Sequence, residues 1–524
     1  MPMIPEAVIA MLASARLGAL HSLVFGGFAS KELATRINHA EPKVIVSANC
    51  AIEPGRVINY KPLLDKAIEL SDFKVPSCII YNRDYEKFTP ASMVPGRDKC
   101  YQDEMASAQP HDCVPVSATD PLYLLYTSGT TGMPKAVVRP SGGHAVVLNW
   151  SMYNIYGMHP HETWFAASDL GWVVGHSYIV YAPLFHCNTT VLYEGKPVGT
   201  PGPSAYYRII TDHKVAGMFA APTSIRAVRR EDPNGEAGKD FKFPHFRYLF
   251  LAGEYCDHET MEYAETHFRV PCLDNWWQTE TGSAITSTCV GLGTDLRPPP
   301  GVAGRSVPGW NVKVLSSEDK SEAEVETLGH IVVKLPLPPS AFSTLWNNEE
   351  GFKKLYFSTF PGYYDTMDAG FRDAQGNIAI TARVDDVINV AGHRLSTGQL
   401  EEAMLEHGAV AEAAVIPIPD KLKGHVPLGF YVLKAGTFID EDQLEREIVM
   451  AVREHVGPVA SFRSAIAIRK LPKTRSGKVA RRTMSSMITR TPYSIPVTIE
   501  DASVYAHLEE VLRQKGYDPL PPSS

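Results

Sequence analysis

The feature that most constrains this chain is a recurrence. Short β-branched or aromatic runs return along it at Val44–Ser47, Cys78–Tyr81, Leu122–Tyr126, Thr189–Tyr193, Val215–Phe219 and Tyr248–Ala252, several of them separated by stretches long enough for a helix. Strands alternating with helices cannot pair as hairpins and imply a mostly parallel sheet covered on both faces, an α/β architecture. Pro- and Gly-rich stretches at 292–303 and 335–341 read as loops. After Gly376-Asn-Ile-Ala-Ile-Thr the pattern restarts as a compact α+β unit. It has a helix near Thr397–His407, a strand near Ala413–Pro417 and a helix near Asp442–Glu454. The expected division is therefore a large domain over 1–384, a small one over 385–490, and an extension over 491–524 whose helix, about Ala502–Lys515, carries Val504, Leu508, Val511 and Leu512 on one stripe.

A length of 524 residues suits roughly two to four domains. A formal net charge of −8 argues against nucleic acid as partner, because a phosphate backbone demands clustered Lys and Arg. It leaves open a single phosphorylated small molecule, which needs only a few local cations. No apolar run is long enough to span a bilayer. The eight cysteines include no C-x-x-C pair and none lies in the last third of the chain, which reads as a reduced interior. Met1-Pro-Met-Ile-Pro runs straight into a helix with Val8, Met11, Leu12 and Ala15 on one face, without a signal or transit segment.

Five motifs carry chemistry. Tyr126-Thr-Ser-Gly-Thr-Thr-Gly-Met-Pro-Lys135 follows an apolar run and offers two glycines and four hydroxyls as a flexible, donor-rich loop suited to a polyphosphate; a hydroxyl-rich surface turn has the same composition. It is not a Walker A loop, since no Gly-Lys-Ser/Thr opens a helix. In Asp274-Asn-Trp-Trp-Gln-Thr-Glu-Thr-Gly282, Thr279 and Glu280 are a hydroxyl and a carboxylate able to hold a phosphate oxygen and a magnesium ion, while the tryptophans alone would read as core. Leu251-Ala-Gly-Glu254 ends a strand with a glycine that admits a planar base close to the backbone. Arg383-Val-Asp-Asp-Val-Ile-Asn-Val-Ala-Gly-His-Arg394 flanks a paired-acid turn with arginines, as salt-bridged linkers also do. Leu471-Pro-Lys-Thr-Arg-Ser-Gly-Lys478 places a lysine on a tip where it can act as a movable point charge.

Together and in this order the five motifs resemble the adenylate-forming superfamily of acyl-CoA synthetases, luciferases and peptide-synthetase adenylation domains, over nearly the whole chain. With Gly171-Trp-Val-Val-Gly-His-Ser-Tyr178, Lys334-Leu-Pro-Leu-Pro-Pro339 and Phe360-Pro-Gly-Tyr-Tyr-Asp-Thr-Met-Asp-Ala369, the chain is similar to the acetyl- and propionyl-CoA synthetase branch and its mitochondrial short-chain members. The resemblance implies a large ATP- and acyl-binding domain, expected to lack its start, and a mobile C-terminal lid. It implies ATP, Mg²⁺ and coenzyme A as cofactors and a small carboxylate, propionate preferred over acetate, as substrate.

It also implies roles. Thr127, Ser128, Gly129, Thr130, Thr131, Gly132 and Lys135 would cradle the β- and γ-phosphates. Gly253, Glu254 and Tyr255 would line adenine, and Asp274, Asn275, Trp276, Trp277, Gln278 and Thr279 would complete the nucleotide wall. Asp368 would hold the ribose hydroxyls with Arg383, Arg394 would meet phosphates, and Glu280 would bind Mg²⁺. Lys478 would bridge carboxylate and α-phosphate, and its acetylation would silence it. Asp385 would be the hinge. Glu53, Pro54, Gly55, Arg56, Gly392 and Arg453 would contact coenzyme A, and Val173, Ala252 and Trp277 would shape the acyl pocket. Met133, Ala136, Val174, Tyr255, Met367 and Ala369 depart from the usual pattern, and none of them removes a charged group. The matrix of the mitochondrion is the implied location, or the cytoplasm for a chain that natively starts at Met1. Rival readings are an adenylation domain that loads a carrier protein, against which Arg56 and Arg453 count, an acetate-preferring synthetase, and a shortened isoform without catalysis acting as a binding module.

Overall fold

The computed structural model describes residues 1–524 except 27–29, 84–90, 128–134, 255, 391–392, 421–423, 438, 458–459, 475–476, 497 and 523–524. The expected parallel sheet forms at the centre of the large domain. Thr189–Thr190, Thr163–Ala167, Val215–Ala220, Tyr248–Leu251 and Cys272–Trp276 lie side by side and parallel, and Thr286–Ser287 and Arg305–Ser306 extend the sheet antiparallel. Val215–Ala220 is buried at every position, as a strand covered on both faces must be. A smaller parallel sheet joins Val44–Ala48, Ser77–Tyr81 and Asp98–Cys100.

Besides the hairpin of Cys50–Glu53 and Arg56–Asn59, two sheets of the large domain depart from the parallel expectation. Pro121–Thr127 pairs antiparallel with Lys135–Pro140, so Thr127 and Lys135, the two described ends of the phosphate-loop motif, face each other in register. Val312–Leu315, Gly329–Lys334, Tyr363–Arg372 and Ile378–Arg383 form a four-stranded antiparallel sheet. The run at 189–193 pairs over only Thr189–Thr190, because it is the sheet's edge and has a neighbour on one side alone.

After a short 3₁₀ turn at Val384–Asp386, the smaller C-terminal domain builds its own sheet from His393–Ser396, Val387–Val390, Gly424–Leu433, Val410–Asp420 and Ala465–Ala467. Helices Thr397–Leu405 and Glu441–His455 bury Leu400, Met404, Leu444, Ile448 and Val452 against it. The segment expected as an extension contributes to a second core, on the alternate residues of the same strands. Tyr493, Ile499, Tyr505, Leu508 and Leu512 pack on Ala414, Ile416, Leu428 and Phe430.

Beneath the strand pair Pro121–Thr127 and Lys135–Pro140 lies a polar knot in an apolar core. The rings of His21 and His176 stack at 5.7 Å, Tyr123 lies 4.6 Å from His176 and 5.7 Å from His144, and His21 Nε2 meets the Tyr181 hydroxyl at 2.6 Å. His144 and His176 are fully buried. Burial above all, and then Arg139, hold His144 well below the usual imidazole range; burial brings His176 to about 4 and His21 to about 3. A base whose folded pKa is depressed binds fewer protons folded than unfolded. Stability is therefore complete above the unfolded value near 6.5 and drains as pH falls below it. For His21, His144 and His176 together, about 4 kcal/mol of unfolding free energy should vanish between pH 7.5 and 5.5. Denaturant titrations at the two pH values measure it, and His144→Leu should reduce the difference by about a third. An unchanged difference in that variant contradicts the assignment.

Candidate active site

In open α/β sheets, ligands gather at the carboxyl ends of parallel strands, where loops diverge and backbone polar groups face outward. Two sequence motifs lie there. Tyr248–Leu251 runs into Ala252-Gly253-Glu254, and Cys272–Trp276 runs into Trp277–Glu280. Gly253 has φ +100°, and a Cβ built on it would meet nothing within 4 Å, so this stretch of backbone presents an open face. Glu254 is anchored beside it. Its Oε1 accepts from the Thr223 backbone N–H at 2.6 Å, at the first turn of helix Pro222–Glu231, and Oε2 accepts from Arg226 at 3.1 Å. Arg226 also donates to Asp257 at 2.9 Å. Tyr255 lies outside the described residues.

Asp274 has its pKa pushed to about 8 by burial, against a backbone hydrogen bond from Asn275, whose own side-chain atoms are buried without partners among the described residues. Trp276 and Gln278 turn to Asp368. Trp276 Nε1 and Gln278 Nε2 donate to Asp368 Oδ2 at 3.0 and 2.7 Å, and Arg383 Nη1 donates to Oδ1 at 2.9 Å. Tyr364 holds Gln278 Oε1 at 2.7 Å. Burial raises the Asp368 pKa while Arg383 opposes the rise. The result is a carboxylate fixed in one orientation by three donors.

Glu280 accepts from the Tyr356 hydroxyl at 2.7 Å. Lys135 opens the strand Lys135–Pro140, in register with Thr127. Burial lowers its pKa, the Glu280 carboxylate pulls it back up, and the Arg383 cation adds to the lowering, so the three charges belong to one neighbourhood. Thr127, Lys135, Glu280, Arg383 and Asp368 are thus linked neighbour to neighbour. Ser128, Gly129, Thr130, Thr131 and Gly132, the body of the phosphate-loop motif, lie outside the described residues.

Ala252, Trp277 and Val173 belong to one apolar cluster, the first two buried and Val173 partly so. Trp277 is fixed edge-on to Tyr178 and Phe219, with ring centroids at 5.4 and 6.0 Å.

The small domain reaches this site. Thr474 and Lys478 close a tight turn, with Thr474 N–H to Lys478 O at 2.8 Å, and Gly477 sits at φ +84°. A Cβ on Gly477 would stand 2.9 Å from Thr223 Oγ1 and 3.7 Å from Glu254 Oε1, so the tip rests on the anchored Glu254. Lys434 Nζ, 3.7 Å from Glu259 Oε2, is a second point of contact between the domains. Lys478 follows the docked glycine and is exposed. Gly392 and the side chains of Asp385 and Arg394 are outside the described residues, though the backbone places Asp385 in the 3₁₀ turn between the domains.

The described residues expected at coenzyme A come from both domains. Glu53 to Arg56 form the tip of a hairpin, where Arg56 pairs with Glu53 at 2.6 Å, and Lys196 stands 3.8 Å from Glu53. Arg453 is exposed on the helix Glu441–His455 of the other domain. Sequence reasoning missed Tyr356, Tyr364, Thr223, Arg226 and Arg139. Arg139 left one signal, a charged residue inside an otherwise apolar strand.

Residues 1–342 match the family described as AMP-binding enzyme, and residues 399–478 match the AMP-binding enzyme C-terminal domain. The chain belongs to the AMP-binding enzyme family. Within it the chain falls among the short-chain acyl-CoA synthetases. It is 58% identical to the acyl-CoA synthetase short-chain family member 3, mitochondrial, of Rattus norvegicus, over 98% of this chain and 75% of the relative, and 57% identical to the Homo sapiens protein of that name, over 98% and 74%. Identity to the propionate–CoA ligase of Escherichia coli is 39%, over 98% of this chain and 82% of that one. Among solved structures, an anthranilate CoA ligase in complex with anthranoyl-AMP shares the fold, with a TM-score of 0.77 at 20% identity, covering 92% of this chain and 85% of that one. Among the described residues no helix is long and apolar enough to cross a membrane.

Proposed function

We propose that this protein joins a short-chain carboxylate, propionate in preference to acetate, to coenzyme A through an acyl-adenylate, releasing pyrophosphate and then AMP. The observation that carries the reading is the triply held Asp368 set beside Lys135, Arg383 and Glu280, with the Lys478 tip docked on Glu254. An oriented carboxylate is a natural acceptor for two ribose hydroxyls. The open backbone at Gly253 suits a planar base, with Glu254 fixed at its rim. Thr127 to Lys135 and Thr279 are the donors for phosphate oxygens, and Asp274 to Trp277 the wall behind them.

Glu280 is the carboxylate we assign to Mg²⁺, and an ion that keeps waters and phosphate oxygens as ligands needs only one or two. Bound there, the ion would neutralise charge on the leaving pyrophosphate. Lys478 then brings two anions, carboxylate and α-phosphate, together by offsetting their repulsion where charge develops. The names of the mammalian relatives, which read mitochondrial, support a mitochondrial location.

Pyrophosphate release with acetate, propionate, butyrate and octanoate, with and without coenzyme A, tests the reading. Propionate should exceed acetate by about tenfold in kcat/KM, butyrate should be weaker or comparable, and octanoate inactive. Octanoate turned over as fast as propionate contradicts it.

The same reading makes Asp385 a hinge between two domain poses. Asp385→Pro fixes φ and removes a donor within the 3₁₀ turn. Adenylation should survive in this variant while thioester formation fails. Both half-reactions at wild-type rate in a stopped-flow comparison would refute the hinge.

A further inference from the structure

Arg139 is among the largest fully buried side chains of the protein, and none of the five motifs contains it. It lies on the same strand as Lys135, four residues on, and alternation along a strand turns both to one face. Its guanidinium spans two separate segments. Nη2 donates to the carbonyl of Thr279, Nη1 to the carbonyls of Glu280 at 3.1 Å and Ser340 at 2.8 Å, and Nε to the Tyr123 hydroxyl at 3.1 Å. The Tyr123 ring lies 5.7 Å from Cζ. Among the described residues no carboxylate pairs with it.

A buried cation held only by neutral oxygens is expensive, and an apolar residue of similar volume would serve packing as well or better. What an apolar residue cannot do is tie two consecutive carbonyls and a third from another segment into one plane. The surroundings are shaped to keep that tie. Gly282 has φ +71°, and a Cβ on it would stand 2.7 Å from Arg139 Cζ, so only glycine leaves room. The Gly282 carbonyl is taken by Ser177 Oγ at 2.7 Å, and the Phe342 N–H donates to the Glu280 carbonyl at 2.9 Å. With both carbonyls of the Thr279–Glu280 turn drawn to the guanidinium, the Glu280 side chain is left to the Tyr356 hydroxyl and the Lys135 neighbourhood.

We infer that Arg139 is the positioning residue of the Thr279–Glu280 turn: it sets where the phosphate-holding hydroxyl and the cation-holding carboxylate stand, without touching the nucleotide. The inference rests on the adenylate reading of the site. Arg139→Lys keeps the charge but loses the planar fork that reaches three carbonyls. Tyr123→Phe removes only the acceptor of Nε and keeps the ring.

The test is the affinity of the full chain for adenosine and for a non-hydrolysable Mg·ATP analogue, by calorimetry, with thermal melts as a folding check. Adenosine needs the Gly253 and Asp368 side of the site, and the analogue needs the turn as well. Arg139→Lys should weaken the analogue about tenfold or more and leave adenosine within about twofold, and kcat for adenylation should fall about 10²-fold, as misplacement by an ångström does. Tyr123→Phe should move the same quantities in the same direction by about threefold, and it decides alone where Arg139→Lys has no cooperative melt. Equal weakening of both ligands, or weakening of neither, overturns the positioning role while the adenylate reading stands. A wild-type chain that binds neither ligand removes both.

Discussion

Lys478→Ala should abolish acyl-adenylate formation from propionate and ATP, by about 10²–10³-fold or more, while largely sparing thioester formation from supplied propionyl-adenylate and coenzyme A. The magnitude is that of removing one pre-placed stabiliser from a site where charge develops. The selectivity comes from position. Lys478 sits on a turn of the small domain one residue beyond Gly477, which rests against Thr223 and Glu254 of the large domain. A group carried on a domain that turns between half-reactions acts in one pose and is absent from the other. Acetylation of Lys478 removes the same charge and should reproduce the variant's half-reaction pattern in vitro. Rapid-quench measurement of both half-reactions checks this, and equal loss in the two sinks the assignment.

Ala252→Val should depress kcat/KM for propionate about tenfold while changing acetate little. Ala252 is buried against the cluster containing Trp277, and Trp277 cannot retreat, because Tyr178 and Phe219 hold it edge-on. On the proposed acyl-pocket reading, alanine in place of valine would leave room beside this indole for about one additional methylene, whose burial would contribute roughly 0.8 kcal/mol. Valine fills that space from the protein side, so the longer acid loses its place and the shorter one does not. Steady-state kinetics with both acids decide the matter. A common factor for the two acids, or acetate as the better substrate of the unmutated enzyme, would mean that Ala252 is ordinary strand packing.

The strands Val44–Ala48, Ser77–Tyr81, Val215–Ala220 and Tyr248–Leu251 were legible because each is a short apolar run bounded by turn residues. Their pairing was less so. An apolar run like Leu122–Tyr126 reads alike whether its neighbour is parallel or antiparallel, and only the pairing with Lys135–Pro140 settles it as antiparallel. The active-site motifs were readable as local clusters of hydroxyls, glycines and charges. The contacts that orient them were not. Asp368 is held by Trp276 and Gln278 from some ninety residues earlier in the chain, and Arg139 finds backbone carbonyls that any residue could supply. A carbonyl acceptor leaves no trace in sequence. The final helix was legible as a stripe, but its partners Ile416 and Phe430 lie on a strand pair that only the fold brings beneath it.

The central claim is that the carboxylate of the substrate attacks the α-phosphate and stays bonded to it until coenzyme A arrives. Propionate labelled with ¹⁸O in both carboxylate oxygens, turned over with ATP and coenzyme A and followed by mass spectrometry of the products, tests it directly. The adenylate route predicts AMP carrying one ¹⁸O and unlabelled pyrophosphate. Label in inorganic phosphate, with ADP as the nucleotide product, would contradict it.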